Sequence, residues 1–549
     1  MQKKKLASLA AVAMLSQTAA LAGGLLTNTN QSFTFGRNFA RDGVIAIDGV
    51  YSNPAGVAFL SNGFHLSIGN QSAFQTRIAR SGMTLVKPAS LPYTDEQWAQ
   101  SPYYHPLSLN GANANGVKEF KGEASAPFVP SIQAALNYDK WGFQFGFGLV
   151  GGGGKCTFNR GLGSFERQVA LLPAALQLAN STYLQQYGID LGLGSDTPGY
   201  SVDSYIHGQQ YVFGAQLGAT YKINDHLAVY GGFRFNYIWN KYEGNITNIT
   251  VNIAGQDENL HNFLGMKAEM LAAQAANYQE QANNYQLLAE QAKLAGNQAA
   301  AQQYAAAAAK LTQGAQLAKG GATTMEGIRD QVADRYLDCT QRGWAITPII
   351  GVDYRLGKLN LGARLEFTTH FNIENDTKVD DTGLFADGVN TPGDMPGIAT
   401  IGASYEVLPT WRVMASYHYY FDKDARMDKD KQKLLSHNTQ EWAVGTEYDL
   451  TKTLTVSAGM QRTLYGLGDG SYLNDMSFQT SSCSFGFGGK VKVSPKVSVE
   501  ASYFWTHYEK FNKQYDQEYS AGTITATAHN SDLFTRTNKV FAAGVNIDF

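Results

Sequence analysis

Along most of the chain, apolar and polar positions alternate one for one in segments of roughly ten residues. The last segment is the clearest, with Phe541, Ala543, Val545, Ile547 and Phe549 separated by Ala542, Gly544, Asn546 and Asp548. A period of two puts alternate side chains on opposite faces of a β-strand. Leu227, Val229, Phe233, Phe235, Tyr237 and Trp239 repeat the pattern against Ala228, Tyr230, Gly232, Arg234 and Asn236. Leu359, Leu361, Ala363, Leu365 and Phe367 do the same, as do Val497, Val499, Ala501, Tyr503 and Trp505. Strands of this length with one apolar face suit tilted crossings of a bilayer, apolar side to lipid and polar side to a lumen.

The connections between these segments fall into two kinds. Short turns are read at 137–140, 222–226, 356–358, 407–410, 449–452 and 493–496. Long loops are read at 74–126, 151–207, 241–341, 371–396, 424–437, 464–477 and 511–537. In outer-membrane barrels the short turns face the periplasm and the long loops face outside. Six turns and seven loops require fourteen strands, an even number as antiparallel closure demands. The expected fold is therefore all-β, a transmembrane antiparallel β-barrel of about 14 strands over residues 63–549.

Two segments depart from the alternation. From Leu264 through Ala268, Leu271, Ala275, Tyr278, Ala282, Tyr285 and Leu288, apolar residues recur three or four apart, which makes a stripe on a helix. Gly296-Asn297 breaks the run and helical character resumes through Leu311, so the insert at 258–340 reads as an extracellular α-helical hairpin. Its plainer role is a solvated spacer; its sharper role is docking a surface protein through residues 258–320. Residues 23–62 do not alternate either, and end on the turn-forming Asn53-Pro54-Ala55-Gly56.

Composition narrows the class. Charged residues make up 16% of the chain, against about 25% in ordinary globular proteins. With 30 Tyr, 29 Phe and 57 Gly, the balance fits strands that are apolar on alternate positions. A net charge of −3 argues against a nucleic-acid partner. Residues 1–22 carry Lys3-Lys4-Lys5, an apolar run and Ala20-Leu21-Ala22, the pattern of a secretory signal peptide, so the mature chain is expected to begin near Gly23. No nucleotide, redox or metal motif is found, so no cofactor, metal or catalytic residue is expected, and the chain is not read as an enzyme. Cys156, Cys339 and Cys483 leave disulfide pairing open.

Gly36-Arg37, Gly43, Ala46, Asp48 and Asn53-Pro54-Ala55 together resemble the N-terminal hatch of the FadL-type transporters of long-chain fatty acids and aromatic hydrocarbons. The resemblance continues through Tyr138-Asp139-Lys140-Trp141-Gly142, Tyr221-Lys222-Ile223-Asn224-Asp225 and Gly402-Ala403-Ser404-Tyr405. It implies a lumenal hatch over 23–62 that includes Arg37, Arg41, Asp48, Asn53, Pro54 and Ala55. It also implies a monomeric outer-membrane barrel and passive uptake of a hydrophobic small molecule, fatty acids first. In that family the ligand leaves sideways at a kink in the third strand, which places the opening at Gly146, Gly148 and Gly151. Leu171, Leu172, Leu176 and Leu178 form an apolar stretch in an outer loop, a candidate capture groove or simple rim packing. Parity puts Arg234, Arg364 and Arg412 in the lumen, either as ligand-carboxylate contacts or paired with acids. His370 and His418 leave a haem receptor as the alternative class.

Overall fold

The computed structural model describes residues 27–87, 93–187, 190–521 and 524–549. The expected signal peptide, residues 1–22, and the first hatch residues lie outside them.

Fourteen strands close one antiparallel barrel. They are β1 (Gly63–Leu85), β2 (Val117–Tyr138), β3 (Trp141–Phe158), β4 (Tyr200–Lys222) and β5 (Leu227–Ile253). Then come β6 (Arg335–Leu356), β7 (Leu359–Glu366), β8 (Ile398–Leu408), β9 (Trp411–Tyr420) and β10 (Gln440–Asp449). The last are β11 (Leu454–Leu464), β12 (Ser482–Ser494), β13 (Val497–Tyr508) and β14 (Ile524–Asp548). β14 pairs with β1 from His65↔Asp548 to Leu85↔Ala528, so the barrel has no open edge.

All six predicted short turns join consecutive strands at one end of the barrel. The alternation also holds its sign. Val229, Phe233, Phe235 and Tyr237 face outward and are exposed, while Ala228, Tyr230, Arg234 and Asn236 are buried in the lumen. Leu361, Val499, Trp505 and Phe541 are likewise exposed on the outer wall. An apolar outer face around a polar interior is what a bilayer requires of a barrel.

The predicted strands are too short at their outer ends. Both ends of 74–126, 151–207 and 241–341, and most of 511–537, read as loops, are strand, and β5 alone runs for 27 residues. The segment Asn372–Asp380 continues the wall beside β6, and Phe511–Ala521 pairs with β14. Above the membrane both faces meet water or other loops, so the period of two fades while the backbone ladder continues. The insert is a two-helix hairpin, Leu260–Leu294 and Gln298–Gln331, within the 258–340 read from the sequence and running past the 258–320 expected to dock a partner. Gly296 (φ 77°) makes the break and Asn297 caps the second helix by accepting from the amide of Ala300. Cys156, Cys339 and Cys483 are all free thiols.

Candidate functional site: hatch, lumenal charges and a gap in the wall

Residues 27–62 fill the lumen as short helical turns at Phe33–Arg37, Gly49–Ser52 and Gly56–Phe59. Glycine permits their seating. A Cβ on Gly43 would lie 2.6 Å from the backbone of Ala403, and one on Gly402 would lie 2.5 Å from the amide of Gly43, so hatch and wall meet backbone to backbone.

Charge then fastens the plug. Arg37 donates to Glu447 (2.6 Å) and Glu500 (2.7 Å), and Arg41 donates to both oxygens of Asp48 (2.7 and 2.8 Å) and to Glu447 (3.1 Å). Asn53 donates to Asp353 (2.6 Å), the carbonyl of Pro54 accepts from Gln144 (2.7 Å), and Ala55 is fully buried. Asp42, which the sequence did not single out, meets His418 Nε2 at 2.7 Å while Glu441 holds Nδ1 at 2.7 Å. Phe35 and Phe39 add an apolar anchor against Phe504 of β13, edge to face. Deletion of one partner of such a buried pair typically costs about 3–5 kcal/mol.

The wall beside the hatch is not continuous. β2 pairs with β3 up to Ile132↔Phe147 and resumes only at Ala124↔Cys156. Residues 125–131 of β2 and 148–155 of β3 thus face each other without ladder hydrogen bonds. On its other side β3 carries two one-residue bulges against β4, between Leu149 and Gly154. Gly152 (φ 102°) and Gly154 (φ 68°) adopt backbone angles that side chains disfavour. β2 bulges at Pro127-Phe128 against β1, and Phe128 stands 72% exposed on the outer wall. Inside, the N-terminal segment lies across the gap. Thr27 bridges Gly151, the amide of Asn28 donates to Val150 O (2.9 Å), and Gln31 Nε2 donates to Leu149 O (2.9 Å).

No family model matches the chain, and no curated protein does. A solved structure of a FadL homologue from Pseudomonas aeruginosa does, with a TM-score of 0.54 at 12% identity, covering 96% of this chain and 100% of that one. The chain has the FadL-type barrel fold. Two other similar structures are the P. putida toluene transporter TodX (TM-score 0.45, 14% identity, covering 92% of this chain and 94% of that one) and a deltaS2 mutant of the TodX monoaromatic hydrocarbon channel (0.47, 12%, covering 95% and 99%).

Within this FadL-type barrel the expected residues are distributed unevenly. Gly148 and Gly151 lie in the unpaired stretch, whereas Gly146 is still paired with Gln133 and packs against Val50 of the hatch. The apolar stretch read as a capture groove or as rim packing is packed at the outer end in this structure. Leu172 and Leu176 are 1% and 2% exposed, buried with Trp98, Leu107, Leu260 and Leu264 in an apolar cap over the outer end, and Leu171 packs against it. Leu178 is half-buried on the same helix, Leu172–Tyr187. Loops apolar enough to bind a ligand are also apolar enough to bind one another, and here they do.

The lumenal arginines follow the second of their two expected roles, pairing with acids. Arg234 donates to both oxygens of Glu366 (2.7 and 3.0 Å), Arg364 reaches Glu366 and the Tyr51 carbonyl, and Arg412 forks onto Asp449 (2.8 and 2.8 Å). Each has its carboxylate, so none is a free contact for a ligand. The haem reading loses His418 as a ligand in the same way. Both ring nitrogens of His418 are engaged, and His370 Nδ1 meets Asp394 at 2.7 Å.

Proposed function

We propose that this chain is a passive outer-membrane transporter of hydrophobic small molecules, with long-chain fatty acids as its substrates. The observation that carries the reading is the unpaired stretch between β2 and β3. A barrel that merely plugged the membrane would have no use for a broken wall, since unpaired strand edges in lipid are costly. The fold it shares with a FadL homologue supports the same reading.

Ligand is captured outside at the apolar cap, where Leu171, Leu172, Leu176 and Leu178 become accessible when the loops part. Removal of its chain from water drives this step at about 0.8 kcal/mol per buried CH₂. It then occupies the lumen above the hatch and leaves sideways at Gly148 and Gly151, bypassing a route through the plug. Each closed barrel holds its own gap, so a single chain suffices. The hairpin of residues 260–331 is proposed to present a surface for another envelope protein.

Native mass spectrometry of the detergent-purified chain, with extraction of whatever co-purifies, tests the substrate class. Fatty acid bound one to one and displaced by oleate is the expected result. Only monoaromatic compounds competing for binding would move the substrate class to hydrocarbons, and haem alone would sink the reading.

A further inference from the structure

Two buried arginines differ from all those described above. Arg77 of β1 and Arg536 of β14 are direct cross-strand partners in the register that closes the barrel. Both point into the lumen and are only 6% and 8% exposed. Arg37, Arg41, Arg167, Arg234 and Arg364 are equally buried, and every one is ion-paired. Among the described residues no carboxylate reaches Arg77 or Arg536. Arg77 has one long contact, Nη2 to the carbonyl of Gly153 at 3.4 Å, and its Nε has no acceptor. Arg536 donates to the side-chain oxygens of Gln75 (2.6 Å) and Gln479 and lies over the ring of Tyr508, again with Nε unsatisfied. The acid on the same strand, Asp532, is held by Arg167 and Ser81.

Like charges directly opposite on neighbouring strands repel, and a buried cation without a counter-ion is costly. The protein supplies neutral amides where the chemistry asks for an anion. Two guanidinium groups on directly opposed positions of neighbouring strands suit a planar acceptor with two oxygens, which is a carboxylate. The surroundings specify the rest of that molecule. On the outer side Phe534 is fully buried with Phe478 and Tyr472, and on the inner side Val540 is buried with Phe35 and Phe39 of the hatch. The contact with Gly153 places the pair at the kinked edge of the wall gap.

We propose that Arg77 and Arg536 form the headgroup site for an amphiphile bearing a single carboxylate, with its hydrocarbon chain laid against these apolar clusters. The proposal rests on the transport reading and deepens it. The pair selects acids over neutral hydrocarbons, and it holds the headgroup beside the gap through which the ligand leaves.

The test compares two lipids of equal chain, oleate and oleyl alcohol, binding to the full chain purified in uncharged detergent. The wild type is expected to bind oleate at least roughly tenfold more tightly. In the double variant Arg77→Gln, Arg536→Gln that preference disappears while oleyl alcohol binds as before. Its thermal unfolding in the absence of lipid is unchanged or higher, because a repulsion has been removed; purely structural arginines would give a lower midpoint and an intact preference. Each single variant carries the same test if the double variant does not fold, and Arg77→Lys restores part of the preference lost in Arg77→Gln. Equal binding of both lipids to the wild type, or a preference that survives the double variant, overturns the headgroup site and leaves the transport reading standing. Failure of both lipids to bind overturns the two together.

Discussion

Arg37 stands between Glu447 and Glu500, and Arg37→Ala would take the shortest cation contact from both buried carboxylates, leaving Glu447 to Arg41 and Arg412 and Glu500 to Lys490 at 3.8 Å. The expected cost is about 3–5 kcal/mol, felt by the hatch rather than by the ladder of the barrel. Limited proteolysis should then cut within residues 27–62 while heat-modifiable migration of the folded barrel persists; an uncut hatch would contradict the account. Lys431, in the outer loop between β9 and β10, makes a second prediction. Burial, helped by nearby Lys513, pushes its ammonium down from 10.5 to about 8, and it lies over the ring of Tyr472 without a hydrogen-bond partner. Its lowered value means that the unfolded loop binds more protons between about pH 8 and 10.5, so stability rises with pH over that window. Protease resistance of this loop should increase accordingly, and Lys431→Met should raise it at pH 7 and flatten its pH dependence. At this scale the sequence was only half legible. Parity placed Arg234, Arg364 and Arg412 in the lumen, but their partners depend on register between strands. Arg77 and Arg536 meet only because the first strand closes on the last.

Strands were legible where one face meets lipid, because only there does burial impose a period of two. That is why the six short turns could be read directly, while β1, β4, β5 and β14 were cut short at their outer ends. The glycines at 146, 148 and 151–154 marked β3 as unusual, yet its gap goes with bulges on two strands, β3 and, at Pro127-Phe128, β2. Deleting Gly152 and Gly153 shortens β3 by two residues, the number by which it exceeds β4 between Leu149 and Gly154. β3 should then straighten and pair with β2 throughout, seen as amide protection gained across residues 125–131 in hydrogen exchange. Unchanged, fast exchange in that stretch would show that the glycines do not make the gap. The outer apolar loop stayed ambiguous in the sequence for a physical reason. An apolar run announces burial, but not whether a ligand or another loop will cover it, and Leu172 and Leu176 are covered by protein.

For the whole molecule, the proposed path runs from an apolar cap, through a lumen plugged by a charge-fastened hatch, to a broken stretch of wall. The hairpin of residues 260–331 projects from the β5–β6 connection and contributes only its base residues, among them Leu260, Leu264 and Met325, to the cap. Replacing residues 270–320 by a short turn should therefore leave barrel folding and lipid binding within a factor of about two, measured on the purified chain. Large losses would make the hairpin part of the transport path. The central claim is that ligand leaves through the wall between β2 and β3. Uptake of radiolabelled oleate by cells displaying equal amounts of wild type, Gly148→Trp and the Gly152–Gly153 deletion tests it most directly. A Cβ at position 148 already meets Gln31 at 2.8 Å, so an indole there crowds the lumenal mouth of the gap. Both variants should retain oleate binding and lose most uptake, on the order of tenfold, whereas wild-type uptake in both would contradict lateral release.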